Sequence, residues 1–74
     1  MRVIDYIGKT GVIVSDGEYK NWRIKIQDDS LDTGGYLILI WSNTSDEGFD
    51  DWVKSEEDLQ KYFEHSSWIV DWGM

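Results

Sequence analysis

Residues 36–42 read Tyr-Leu-Ile-Leu-Ile-Trp-Ser, and no other stretch restricts the fold of this chain so tightly. At the period of a β-strand, Tyr36, Ile38 and Ile40 point to one face and Leu37, Leu39 and Trp41 to the other. A strand that is apolar on both faces belongs in the middle of a sheet, with cover on each side. The apolar run is six residues long, far short of the ~20 that cross a bilayer. A soluble protein with no membrane contact is the expectation.

The flanking sequence supplies partners for that strand. Residues 11–15 (Gly-Val-Ile-Val-Ser) are short and β-branched, and Asp16-Gly17 is a strong hairpin signal. Residues 19–27 then alternate Trp22, Ile24 and Ile26 against Arg23, Lys25 and Gln27, as a half-buried strand does. A three-residue loop at Ser15-Asp16-Gly17 places Val12 and Val14 on the Ile24 face, whereas a two-residue loop places them with Arg23 and Lys25. The apolar pattern selects the odd loop. Residues 28–35 form a polar connection ending in Gly34-Gly35, and residues 43–51 an acidic loop.

Period two gives way to a helical stripe at Leu59, Tyr62 and Phe63. Ser55 is placed to cap that helix, Glu56, Glu57 and Asp58 suit the positive end of its dipole, and Lys61 and His65 suit the negative end. Ser66-Ser67 end it, and residues 68–72 make a last strand with Trp68, Val70 and Trp72 on one face. The expected fold is α+β, in the order β-β-β-α-β, with one helix on one face of a mostly antiparallel sheet of about four strands. Residues 3–7 add a short strand or turn.

The whole chain of 74 residues makes one domain. Its core must be rich for so short a chain, and 41% hydrophobic residues with five Trp, four Tyr and two Phe meet that need. One helix covers only one face of residues 36–41. The other face, which also receives Arg23, Lys25 and Ile69, is covered either by Val3, Ile4, Tyr6 and Ile7 or by another molecule, which includes a homodimer.

Net charge is −8, and residues 28–58 carry ten of the fifteen acids with Lys54 as their only base. Such a surface repels nucleic acid and anionic membranes and favours a basic protein; it also keeps a small domain in solution. The absence of cysteine removes disulfide and thiolate chemistry and points to a reducing cytoplasm. The N-terminal residues lack the apolar run of a signal peptide.

Catalysis is not expected. His65 is the only histidine and its place at a helix C-terminus accounts for it. No serine sits in a nucleophile elbow, and the adjacent Asp50 and Asp51 point apart. A metal is not expected either. Asp28, Ser30 and Asp32 have the first spacings of a calcium loop, but Thr33 stands where glycine is required and Leu39 where the bidentate glutamate belongs. The run from Asn43 to Gly48 ends on Lys54 at that last position. No cofactor is implied. Nucleic acid needs a basic stripe, and only Lys20, Arg23 and Lys25 cluster.

The remaining feature is the mixture of acids and aromatics in Asp46, Glu47, Phe49, Asp50, Asp51 and Trp52. Aromatic anchors ringed by charge are typical of protein interfaces, so these six are the candidate partner-binding residues. The competing reading is that Phe49, Trp52 and Val53 tuck the loop against the helix.

Three stretches, Gly34-Gly35-Tyr36-Leu37-Ile38-Leu39-Ile40-Trp41, Gly48-Phe49-Asp50-Asp51-Trp52-Val53 and Glu57-Asp58-Leu59-Gln60-Lys61-Tyr62-Phe63, together resemble small acidic bacterial immunity proteins. The resemblance spans about the C-terminal half and is one of style, so it assigns no individual residue. It implies a non-catalytic inhibitor that neutralises a basic partner such as a nuclease toxin. Phage-encoded inhibitors of nucleic-acid enzymes share the same look. The alternative function is a structural or adaptor subunit that self-associates through the uncovered sheet face.

Overall fold

The computed structural model describes residues 3–73, apart from the side chain of Ile4. A 3₁₀ turn at Val3–Tyr6 leads into strands β1 (Thr10–Ile13), β2 (Arg23–Asp29), β3 (Gly35–Trp41) and β4 (Gly48–Val53). Helix α1 (Glu56–Ser66) and strand β5 (Val70–Asp71) follow. The fold is α+β, with one helix on an antiparallel sheet of five strands ordered β4-β3-β2-β1-β5. β3 pairs on both sides, as a strand with two apolar faces should.

The core lies between α1 and one sheet face. Ile24 faces Ile40 and Ile26 faces Ile38 across the β2–β3 ladder, and all four are buried with Val3, Ile13, Leu59, Phe63 and Trp72. The helix begins where its chemistry requires. The Ser55 hydroxyl accepts the Asp58 N–H at 3.1 Å, satisfying an amide that has no partner within the helix. It ends at Ser67, whose φ of 59° lies in the left-handed region.

Two expectations are corrected, and one of two open alternatives is eliminated. First, β4 is a strand where an acidic loop was expected, so the sheet has five strands and the connection shrinks to residues 42–47. Second, β1 and β2 are not joined by a tight turn at Asp16-Gly17. The Ile13 N–H donates to the Trp22 carbonyl and the Asn21 N–H to the Ile13 carbonyl, so residues 14–21 form a wide loop. Val12 opposes Arg23, the face opposite to that required by the odd loop. Ile13, not the valines, fills the core. Tyr19 leaves the expected strand to pack on Trp22 at 4.9 Å between ring centroids.

The eliminated alternative is N-terminal cover: the N-terminal segment does not cross the second sheet face. The Val3 N–H donates to Gln60 Oε1 on the helix at 3.0 Å, Tyr6 stacks on Trp72 with centroids 5.0 Å apart, and the Gly8 N–H reaches the Ile26 carbonyl. The turn therefore extends the helical layer, and no element among the described residues lies over Leu37, Leu39 and Trp41, which are half-buried. Cross-strand neighbours shelter them in part: Gln27 and Trp52 flank Leu37, and Lys25 and Asp50 flank Leu39. The aliphatic stems of lysine and arginine can cover apolar surface in this way. No helix among the described residues is long and apolar enough to cross a membrane.

Candidate binding surface

The acidic hairpin that joins β3 to β4 is built around Ser42. Its hydroxyl accepts the N–H groups of Thr44 and Ser45, each at 3.2 Å, and its own N–H donates to the Glu47 carbonyl at 2.9 Å. This tight tip leaves Asp46 and Glu47 exposed at one end of β4. Along β4 the side chains alternate, because the strand pairs Phe49 with Ile40, Asp50 with Leu39, Asp51 with Ile38 and Trp52 with Leu37. Phe49 and Asp51 therefore face the helical layer, while Asp50 and Trp52 face the bare side of the sheet. The six candidate residues occupy one edge of the molecule but two of its faces.

On the bare side, Trp52 is 48% exposed. Its indole N–H donates to Thr33 Oγ1 at 2.8 Å, and the Thr33 hydroxyl lies 2.8 Å from Asp29 Oδ2. Trp52 is thus tethered to the β2–β3 loop, and it also borders the groove between β4 and α1.

On the helical side, Phe49 joins an aromatic cluster. Its ring lies 5.3 Å from Tyr19, which in turn lies 5.8 Å from Trp68, and Trp68 lies 6.1 Å from Tyr62. Between β4 and α1, Phe49, Trp52, Tyr62 and Trp68 line a groove of about 670 Å³ together with Val53, Lys54, Asp58, His65 and Ser66. The wall is mostly apolar, and its residues come from β4, α1 and the segment after α1. Tyr62, His65 and Trp68 belong to this surface although their spacing marked them as core stripe, helix terminus and strand. No linear signal could have grouped them, since they meet Phe49 only through the fold.

A polar contact links α1 to β4 beside the groove. The Tyr62 hydroxyl donates to Asp51 Oδ2 at 2.6 Å, and burial, followed by the hydrogen bond and charge of Asp51, pushes the phenol well above the usual tyrosine range. A phenol that stays neutral in the fold but ionises near pH ~10 when unfolded stabilises the fold fully below that pH. That contribution is lost as pH rises through the folded value. Tyr62→Phe is expected to lower stability by about 1 kcal/mol at neutral pH and to lose less than the parent on going to strong alkali. Urea unfolding of both proteins at neutral and alkaline pH reads this difference.

Elsewhere, Asp28 is held below the usual carboxylate range by the Ser30 N–H, which donates to it at 2.9 Å. Tyr36 is raised by loss of hydration and by the charges of Glu56 and Asp28. Among the described residues no three of His, Cys, Asp and Glu converge as a metal cage would. Set against protein-family models, curated proteins and solved structures, the chain shows no match to any of them.

Proposed function

We propose that this domain is a non-catalytic protein-binding module of the inhibitor or immunity type, acting in the cytoplasm on a partner with a basic surface such as a nuclease toxin. One observation carries the reading. Asp46, Glu47, Asp50 and Asp51 lie along a single edge hairpin with Phe49 and Trp52 interleaved, which combines long-range attraction with apolar anchors. All four acids are exposed residues, and Asp51 also accepts the Tyr62 hydroxyl at 2.6 Å.

Replacing the four acids by Asn or Gln is expected to slow association with the partner captured by the parent chain by about 10–100-fold at low salt. The salt dependence should flatten, because charge steering is screened beyond ~8–10 Å at physiological ionic strength. Dissociation should change little. An unchanged association rate overturns the reading and leaves the acids as a solubility device.

A second reading, self-association through the second sheet face, is favoured by the packing of the 3₁₀ turn on the helical side, which leaves Leu37, Leu39 and Trp41 only half-buried. Sedimentation of the full chain with rising concentration separates the two. A dimer that Leu39→Lys abolishes supports self-association, and a monomer throughout eliminates it.

A further inference from the structure

We propose that the outer edge of β4 takes an extended segment of its partner as a sixth strand, with alternating basic and apolar side chains, the apolar ones seated in the groove between β4 and α1. This rests on the binding role proposed above and specifies how that binding is achieved.

The backbone of β4 is the first support. The Ser42 N–H donates to the Glu47 carbonyl, and hydrogen-bonded pairs alternate along an antiparallel ladder. Counting along the register, Phe49, Asp51 and Val53 turn their peptide groups to β3, while Gly48, Asp50 and Trp52 turn theirs outward. No hydrogen bond among the described residues engages these outward amides. β4 is six residues long, whereas the opposite edge strand, β5, is two. A long open edge is a template for another strand unless something guards it.

The guard on β4 is selective, and it identifies the occupant. If a second copy added antiparallel about the centre of the strand, Asp50 would meet its own image in one register and Asp51 its own image in the next. Like charges directly opposite each other destabilise strand pairs. A strand with lysine or arginine opposite Asp50 gains what a second copy loses. The acids of β4 and its hairpin therefore repel self-pairing and select a basic segment.

Alternation sets the rest of the pattern. A residue beside Asp50 or Trp52 projects to the bare side, where a cation meets the carboxylate or the face of the indole. A residue beside Phe49, Asp51 or Val53 projects to the helical side. That side opens on the groove walled by Phe49, Val53, Tyr62 and Trp68, which suits apolar side chains. Main-chain bonds supply affinity in such additions and the alternate pockets supply specificity.

The test titrates the full chain with an octapeptide alternating lysine and valine. The first control is its lysine–serine counterpart. Two further peptides carry N-methyl groups on one or the other set of alternate residues. The expected results are slowed hydrogen exchange at the Asp50 and Trp52 amides, and affinity at least about tenfold above that of the lysine–serine peptide. Only one of the two N-methylated peptides should lose affinity, since only one set of its amides faces β4. Asp50→Pro removes an outward donor without touching the β3 ladder and should bind more weakly than Asp50→Ala. If the two N-methylated peptides bind alike, or Asp50 and Trp52 gain no protection, strand addition is overturned. Equal binding of the lysine–serine peptide with no protection overturns it while leaving the charge-led binding role intact. No binding of the lysine–valine peptide overturns it outright.

Discussion

Trp72→Ala is expected to lower the unfolding free energy by about 3 kcal/mol, a substantial part of the roughly 4–11 kcal/mol that a domain of this length possesses. Trp72 lies just beyond β5 and is 7% exposed. Its ring stacks on Tyr6 at 5.0 Å and 7° and leans on Phe63 at 6.2 Å, so it joins the N-terminal turn, the helix and the last strand. Truncating a buried tryptophan costs about 3–5 kcal/mol. The lower end applies because the buried Trp72 Nε1 has no hydrogen-bond partner among the described residues, and removing an unsatisfied donor recovers part of its desolvation cost. Trp72→Phe keeps most of the contact area and discards that donor, so it should cost distinctly less. In thermal unfolding Trp72→Ala should fall by roughly 12–24 °C. Equal losses in the two variants would show that the indole N–H is satisfied after all.

Gly35→Ala is the second large effect, expected to cost about 2–3 kcal/mol. At a permissive backbone position this change would stabilise by roughly 0.4–1 kcal/mol through the unfolded chain. Here the added methyl meets the Val53 carbonyl oxygen in a severe overlap, and it also comes within 2.7 Å of Trp52 Nε1 and 2.8 Å of Trp52 Cε2. An indole can swing aside. A ladder carbonyl on the neighbouring strand cannot move without loosening the end of β4. The clash outweighs the entropy, and the damage should concentrate at β4. Hydrogen exchange of the β4 amides should accelerate more than that of the β2 amides, and adding Trp52→Ala should restore only part of the stability. Full rescue by that second change would mean that the indole alone is displaced.

These two positions show where local pattern and tertiary contact part company. Tyr36, Ile38 and Ile40 fall on the core face as their alternation implies, and Ile24 and Ile26 oppose them. The cap at Ser55 and the burial of Leu59 and Phe63 were also legible. In each case one face of a regular element is buried, and a repeating burial leaves a repeating sequence.

β4 leaves no such trace. Phe49-Asp50-Asp51-Trp52 puts one aromatic and one acid on each face, because an edge strand with one bare side has no continuous burial to encode. It is a strand because β3 supplies hydrogen-bond partners. β1 and β2 pair without the tight turn for a related reason. Asp16-Gly17 permits a tight turn, but burial of Ile13 in the core and of the Tyr19 ring against Trp22 and Phe49 stabilises the wider loop.

The candidate surface divides in the same way. By itself the sequence determined that acids and aromatics concentrate in residues 46–52, that β3 has two apolar faces, and that one helix could cover only one of them. Only the tertiary structure decided that those acids line an open strand edge, that Phe49 and Trp52 lie on opposite faces, and that Tyr62 and Trp68 wall a groove beside them. Charge and hydrophobicity belong to residues and can be read one at a time. An edge, a face and a groove are relations between segments far apart in the chain, and they exist only once long-range pairing has brought those segments together.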